Sequence, residues 1–176
     1  MDDNGQFFLI SKSANSNKKS VDPTVRIFAI EDLVESGFET SQVVPLLSTA
    51  LDDSNSNIRW PAASTLGKIG PDAKTAVPML KESLHDSEAI VLINDLEAIG
   101  KIRPEYNEEV ISAMIKALHD DNWRVQIYAT RAIANCGFAT NEVKTALNQI
   151  ISENNDHDLK NEALKTLKKL NLNKEP

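Results

Sequence analysis

Three histidines and one cysteine are the side chains of this 176-residue chain best suited to holding a metal or attacking an electrophile. His85-Asp86 and His119-Asp120 are two such pairs, spaced 34 residues apart, and His157 follows farther on. Imidazole with carboxylate is a zinc-type donor set, but zinc draws its ligands to within about 2.2 Å. If the two pairs sit on successive helical units, they are separated by an interaxial distance on the order of 10 Å, too far to share one ion. They are expected to be solvated turn residues, with no metal bound. Cys136 stands alone, so neither an intrachain disulfide framework nor a cysteine-based zinc cage is available. No histidine or carboxylate is placed to activate it, so it is expected to be a buried thiol. With no nucleophile–base pair, metal cluster or phosphate loop, the expectation is no catalytic residue and no cofactor.

The spacing of the histidines belongs to a longer pattern. The stretch Leu51–Gly70 reads LDDSNSNIRWPAASTLGKIG: an acidic turn, then Ile58-Arg59, Ala62-Ala63, Leu66-Gly67 and Ile69-Gly70. Leu51, Leu84, Leu118 and Ile151 recur at intervals of 33, 34 and 33 residues, each closing one amphipathic segment and opening another. The first full unit predicts a helix A from about Ser41 to Leu51, with Val43, Val44, Leu47 and Leu51 inward and Pro45 in its first turns. It predicts a helix B from about Ser56 to Lys68, kinked at Pro61 or starting late near Trp60. Val77-Pro78, Val110 and Val143 open the corresponding A segments of the next three units. Asp22-Pro23 to Gly37 reads as a lone B helix, a half-repeat capping the N-terminal end. Because two antiparallel helices cannot hide their apolar faces alone, such units stack in series.

Composition fits one such stack. Apolar residues make up 41% and aromatics 5%, and no apolar run approaches the roughly 18 residues of a membrane span. Residues 1–21 read as a tail in which Phe7-Phe8-Leu9-Ile10 precedes a polar linker, residues 22–170 as the solenoid, and 171–176 as a polar tail. The opening residues resemble neither a signal peptide nor a basic targeting segment, so a cytoplasmic location is expected. Net charge is −7 but uneven, with 18 acidic and 8 basic residues over 22–121 against 6 and 8 over 122–176. The acidic middle repels a phosphate backbone, which argues against nucleic acid as a partner.

The combination Val44-Pro45, Leu51, Asp53, Ile58-Arg59, Ala62-Ala63, Leu66-Gly67 and Ile69-Gly70 resembles the HEAT-like repeat of the phycobilisome-lyase type, over about residues 22–170. The resemblance implies an all-α, right-handed α-solenoid of antiparallel helix pairs, one half-repeat plus four repeats, with the B helices lining the concave face. It also implies a ladder in which an aspartate and an arginine six residues apart link neighbouring repeats. Asp53 and Arg59 fit it, and Arg26 and Lys160 hold the basic position elsewhere, but Leu92 and Gln126 break it in the second and third units. HEAT-repeat hydroxylases carry His-Glu pairs early in helix B. Trp60-Pro61, Ile93-Asn94 and Ile127-Tyr128 stand there, so that activity is rejected.

Nine residues after each reference leucine, the B helices carry Ile27, Trp60, Ile93 and Ile127, off the inward stripe. This row is expected to form an apolar stripe for partner binding, flanked by Trp123 and Tyr128 and by Arg124 and Arg131, which would receive carboxylates. The function expected is non-catalytic binding of another protein on the concave B-helix face. Two alternatives stand beside it. One is a bilin lyase or lyase-associated chaperone, with Glu31 and Glu97 as the concave carboxylates. The other is nucleic-acid binding through the basic C-terminal helices, with Arg124, Arg131, Lys160 and Lys165.

Overall fold

The structure, a computed structural model, describes residues 39–172. The expected N-terminal tail, the half-repeat with Arg26, Ile27 and Glu31, and residues 173–176 lie outside the described residues. Eight α-helices follow one another: α1 (Thr40–Ala50), α2 (Ser56–Ile69), α3 (Val77–Ser83), α4 (Ala89–Ile102), α5 (Glu108–Ala117), α6 (Trp123–Cys136), α7 (Asn141–Glu153) and α8 (His157–Leu172). A 3₁₀ segment, Gly70–Ala76, leads into α3. The odd-numbered helices are the A members and the even-numbered helices the B members of four pairs. The described residues contain no strand.

Helical periodicity sets the buried face of each element. In α1, Val43, Val44, Leu47 and Ala50 face inward; in α6, Val125, Ala129 and Ile133 do so. Pro45, expected in the first turns of its helix, and Pro61, expected to kink or delay its own, each lie six residues in, within α1 and α2. Each removes the N–H that would reach the carbonyl four residues back, on Ser41 and Asn57. Both of those residues are exposed, so water satisfies the lost acceptor. Helix α2 therefore starts at Ser56 and not late at Trp60, as the sequence allowed, because Asn55 caps it: its Oδ1 accepts the Asn57 N–H at 3.0 Å.

The A-to-B turn repeats one device. Asp53 Oδ1 accepts the Asn55 N–H, Asp86 Oδ1 the Glu88 N–H, Asp120 Oδ1 the Asn122 N–H and Asn154 Oδ1 the Asp156 N–H, at 2.7–2.8 Å. The side chain folds the turn so that the next polar residue arrives at the helix start. At the other end of each B helix the chain enters positive φ, at Gly70 (72°), Arg103 (50°) and Gly137 (74°). Arg103 thus holds a position that glycine fills in the repeats on either side.

Neighbouring B helices pack closely and neighbouring A helices barely meet. Small side chains permit this. A Cβ added to Gly67 would lie 3.0 Å from the Cα of Ala98, and one added to Gly100 would lie 3.0 Å from the Cα of Ala132. A stack whose B layer is spaced more tightly than its A layer curves toward the B side, which makes the B helices its inner wall.

One ladder rung is complete. Arg59 donates Nε and Nη2 to the two oxygens of Asp86 in the next repeat, at 2.5 and 2.9 Å, and Nη1 to the Asp53 carbonyl of its own turn at 2.8 Å. Gln126 keeps the contact within the repeat, donating to the Asp120 carbonyl at 2.7 Å, but offers no charge to the repeat after it. Leu92 at the equivalent position is buried and makes neither contact.

Candidate partner-binding face

The inner layer distributes the expected site residues in three ways. Ile93 is half-buried against the core and Ile127 is only 8% exposed. These two fill the seam between B helices and do not stand clear as a stripe, because the close B–B spacing closes over them. Trp60, on the same row, is half-buried near the start of α2. Trp123 and Arg124 at the start of α6 are exposed, as is Arg131 two turns on, while Tyr128 is half-buried.

The exposed group is organised by the rings. The Arg124 guanidinium lies 5.4 Å from the Trp123 ring centroid, and that of Arg131 lies 5.7 Å from the Tyr128 centroid, both within cation–π range. Arg131 Nε also donates to Glu162 of α8 at 3.1 Å. Between α6 and α8, Arg131 also borders a shallow depression of about 260 Å³ that Asn135, Glu162, Lys165, Thr166 and Lys169 line with it. Lys169 Nζ donates to Asn135 Oδ1 at 3.2 Å across it. The result is an exposed tryptophan, half-exposed tyrosine and a cluster of cations on one continuous wall.

Charge is sorted by layer. Exposed carboxylates such as Asp52, Glu82, Glu108, Glu109, Asp121 and Glu142 lie on A helices or turns. Exposed cations on the B helices are Lys68, Lys101, Arg124, Arg131, Lys165, Lys168 and Lys169; of the acids there, Glu97 pairs with Lys101 and Glu162 with Arg131 and Lys165, while Asp158 is exposed at the start of α8. The unevenness along the chain is in space a difference between the walls.

Two residues escaped the sequence reading. Ile90 is 47% exposed at the start of α4, in the row that carries Asn57, Arg124 and Asp158 in the other repeats. Its signal was an apolar side chain in an otherwise polar row. Asp95 is fully buried where Ala62, Ala129 and Ala163 pack in the other repeats. Its signal was a carboxyl on the inward stripe.

The candidate chemistry residues are dispersed. His85 and His119 are exposed at their turns, and the described residues contain no group of three or more histidine, cysteine or acidic side chains able to hold a metal. Cys136 Sγ lies 3.6 Å from the Ile99 carbonyl, and burial pushes its thiol up to about 12, so it is protonated at neutral pH. Glu97, the carboxylate a bilin site would use, pairs with Lys101 at 2.7 Å. No described helix is long and apolar enough to cross a membrane.

A family model for HEAT repeats matches residues 17–100. Over those residues the chain is similar to HEAT repeats. Its fold is that of solved repeat solenoids. An engineered protein, structural-genomics target OR329, is 21% identical, with 97% of this chain and 81% of that one covered and a TM-score of 0.68. A designed armadillo repeat protein solved in complex with the peptide (KR)4 is 18% identical, with 95% and 92% covered and a TM-score of 0.65. The Escherichia coli protein YibA is 18% identical, with 94% and 68% covered and a TM-score of 0.61. At these identities the likeness extends to the fold alone. No curated protein matches the sequence. The repeats matched by the family model are the ones that contain the complete Arg59–Asp86 rung.

Proposed function

We propose that this HEAT-like protein is a non-catalytic binding module that holds a partner protein against its B-helix wall. The partner segment is extended and acidic, and offers one or two apolar side chains. The observation that carries the reading is the exposed Trp123 with Arg124 over its ring, beside the Tyr128–Arg131 pair, on the wall whose exposed charge is cationic. Tryptophan, tyrosine and arginine supply large contact area with donors attached, and they dominate measured binding energies at interfaces. Trp60 and Ile90 extend the same surface toward the first repeat, and Ile93 and Ile127 support it from below. A repeat solenoid suits such a segment because its inner wall presents equivalent positions at regular intervals. The designed armadillo protein that takes (KR)4 illustrates peptide capture by this architecture. The acidic preference proposed here rests on the B-wall cations of this chain. The single thiol suits a reducing compartment, and the cytoplasm is the location we propose.

The test is affinity capture from the source cells followed by cross-linking to map the contact. Trp123→Ala and Arg131→Glu are expected to abolish capture that Met79→Ala, on the opposite layer, leaves intact. Capture that survives both B-wall substitutions and is lost with Met79→Ala overturns the reading.

A further inference from the structure

The depression between α6 and α8 gathers three cations, Arg131, Lys165 and Lys169, around one carboxylate, Glu162. The same register positions hold two cations and one acid elsewhere in the B layer: Lys68, Lys101 and Glu97 across α2 and α4, and Lys101, Arg131 and Glu97 across α4 and α6. Helical spacing assembles the richer set. Arg131 and Asn135 are four residues apart on α6, and Lys165 and Lys169 four apart on α8, so each pair shares one face of its helix. Ala134 and Thr166 are buried and also line the depression, so its floor is of small side chains and its rim of charged ones. The rim is not saturated. Glu162 Oε1 accepts Arg131 Nε at 3.1 Å, and its Oε2 lies 3.9 Å from Lys165 Nζ. Lys169 gives one N–H to Asn135 Oδ1. The two Nη groups of Arg131 have no partner among the described residues, and each ammonium keeps at least two N–H donors over.

We propose that this depression receives the phosphoryl group of a phosphorylated serine or threonine in the partner segment. The inference rests on the binding reading above and names one of the acids that the segment presents. A phosphate monoester carries about −1.5 to −2 charge at neutral pH and three strong acceptor oxygens. Three cations against one carboxylate leave a surplus of two, which such a group neutralises and an aspartate or glutamate only halves. The free donors approach from two helices, Arg131 from α6 and the two lysines from α8, which suits three oxygens around one phosphorus better than the two coplanar oxygens of a carboxylate. A nucleic-acid strand carries a single charge per phosphate and needs cations in series, whereas Glu97, Asp158 and Glu162 interrupt this wall. The depression is shallow and offers little enclosure to the body of a free phosphate ester, so the rest of the contact has to come from chain on either side. Arg131 supplies the continuity, since it borders the depression and also lies over the Tyr128 ring.

Fluorescence anisotropy of the full chain with dye-labelled acidic decapeptides tests this, each peptide carrying two leucines and, at its centre, serine, glutamate or phosphoserine. The phosphoserine peptide is expected to bind at least about tenfold more tightly than the serine peptide and about threefold more tightly than the glutamate peptide, the gain from one to three added charge-assisted hydrogen bonds. Combining Lys165→Met with Lys169→Met is expected to remove the advantage of phosphoserine over glutamate, and each single substitution to remove part of it. Both lysines are exposed, and unchanged helical circular dichroism verifies that the variants are folded. Lys116→Met, at an exposed lysine of the A layer, is expected to keep the advantage. Phosphoserine binding no better than glutamate, or an advantage that survives the double substitution, overturns the phosphoryl site and leaves the acidic-segment reading standing. Failure of all three peptides to bind overturns both. Free O-phosphoserine competing as well as the unlabelled phosphopeptide assigns the site to a small phosphate ester, and a single-stranded oligonucleotide competing better assigns it to nucleic acid; either result overturns the proposal.

Discussion

Asp95→Ala gives the second repeat the side chain that Ala62, Ala129 and Ala163 place at the same inward position. Removing the carboxyl relieves one fully buried polar group beside only the Ser83 hydroxyl, and one such group left poorly satisfied costs about 1–3 kcal/mol. The void left by a carboxyl, roughly 30 Å³ at ~24 cal/mol per Å³, takes back about 0.7 kcal/mol. A net gain on the order of 0.5–2 kcal/mol is expected at neutral pH, or about 1–8 °C in Tm at ~2–4 °C per kcal/mol for a chain of this size. The gain depends on pH with a definite sign. Burial raises the folded-state value of this carboxyl well above 3.8. Below about pH 3.8 the group is protonated in both states and its native form carries no linkage penalty. As pH rises past that point the unfolded chain ionises and the native one does not follow, so the wild type loses about 1.4 kcal/mol per pH unit until the raised value is passed. The alanine variant has no such loss. Urea unfolding followed by circular dichroism at about pH 4 and about pH 7 measures both curves, and the advantage of the variant is expected to widen toward pH 7. A variant less stable than wild type at neutral pH, or a difference that stays flat across the range, refutes the assignment of Asp95 as a buried carboxyl whose folded-state value is raised.

Three further predictions follow from the packing. Arg59→Ala, Asp86→Ala and the double variant form a cycle whose coupling energy is expected to be about 1–3 kcal/mol, because the pair is bidentate and largely shielded from solvent. Although burial opposes it, the Arg59 guanidinium and the Glu88 and Ser87 backbone N–H groups hold Asp86 below its ordinary value, so the rung's contribution is complete above about pH 4 and fades as pH falls through the lowered value. Gly67→Ala is expected to destabilise by about 1–3 kcal/mol in the same denaturation assay, since its Cβ meets the Ala98 backbone at 3.0 Å, even though alanine is the better helix former by about 1 kcal/mol. Arg103→Gly is expected to stabilise by about 0.5–1 kcal/mol, read as a shift in urea midpoint with unchanged slope, because φ of 50° strains an L side chain where the neighbouring repeats use glycine.

Most of the fold was legible because its information is periodic. Leu51, Leu84 and Leu118 all bury at the positions their spacing assigned, whereas Asp53 and Asp120 fold their turns and leave the capping of the following helices to Asn55 and Asn122. The site was less legible because periodicity reports which face of a helix points inward, not how near the neighbouring helix comes. Trp60, Ile93 and Ile127 share a row, yet Gly67 and Gly100 draw the B helices together until Ile127 is covered. The glycines were visible as a step that recurs in the repeat register, at Gly67 and Gly100, but their effect is on spacing between helices distant in sequence. Asp95 was hidden for a related reason: an acid on an inward stripe reads as a local irregularity until the lack of any partner beyond the Ser83 hydroxyl is seen in three dimensions.

Charge shows the same conversion of a one-dimensional pattern into a spatial one. Counted along the chain, acidic residues crowd the first three units and cations the last, which suggests two ends of unlike charge. In the folded chain, Glu82, Glu108, Glu109 and Glu142 belong to A helices, whereas Lys68, Lys101, Arg124 and Arg131 belong to B helices, so much of the division lies between the two layers, with Lys116 and Asp158 as exceptions. A ligand approaching the B wall therefore meets cations along its length, not at one end only. Positive charge on the closely packed B side is also self-repelling, and the B–B packing has to offset it. Glu97 and Glu162 do so from within the wall, through Lys101 and through Arg131 with Lys165. Arg131 thus stands between two carboxylate partners, Glu162 of its own chain and that of an incoming segment. Exchange of one for the other would bring partner binding to the α6–α8 contact, where Thr166 Oγ1 meets the Thr130 carbonyl only at 3.5 Å and the layer is least tightly joined.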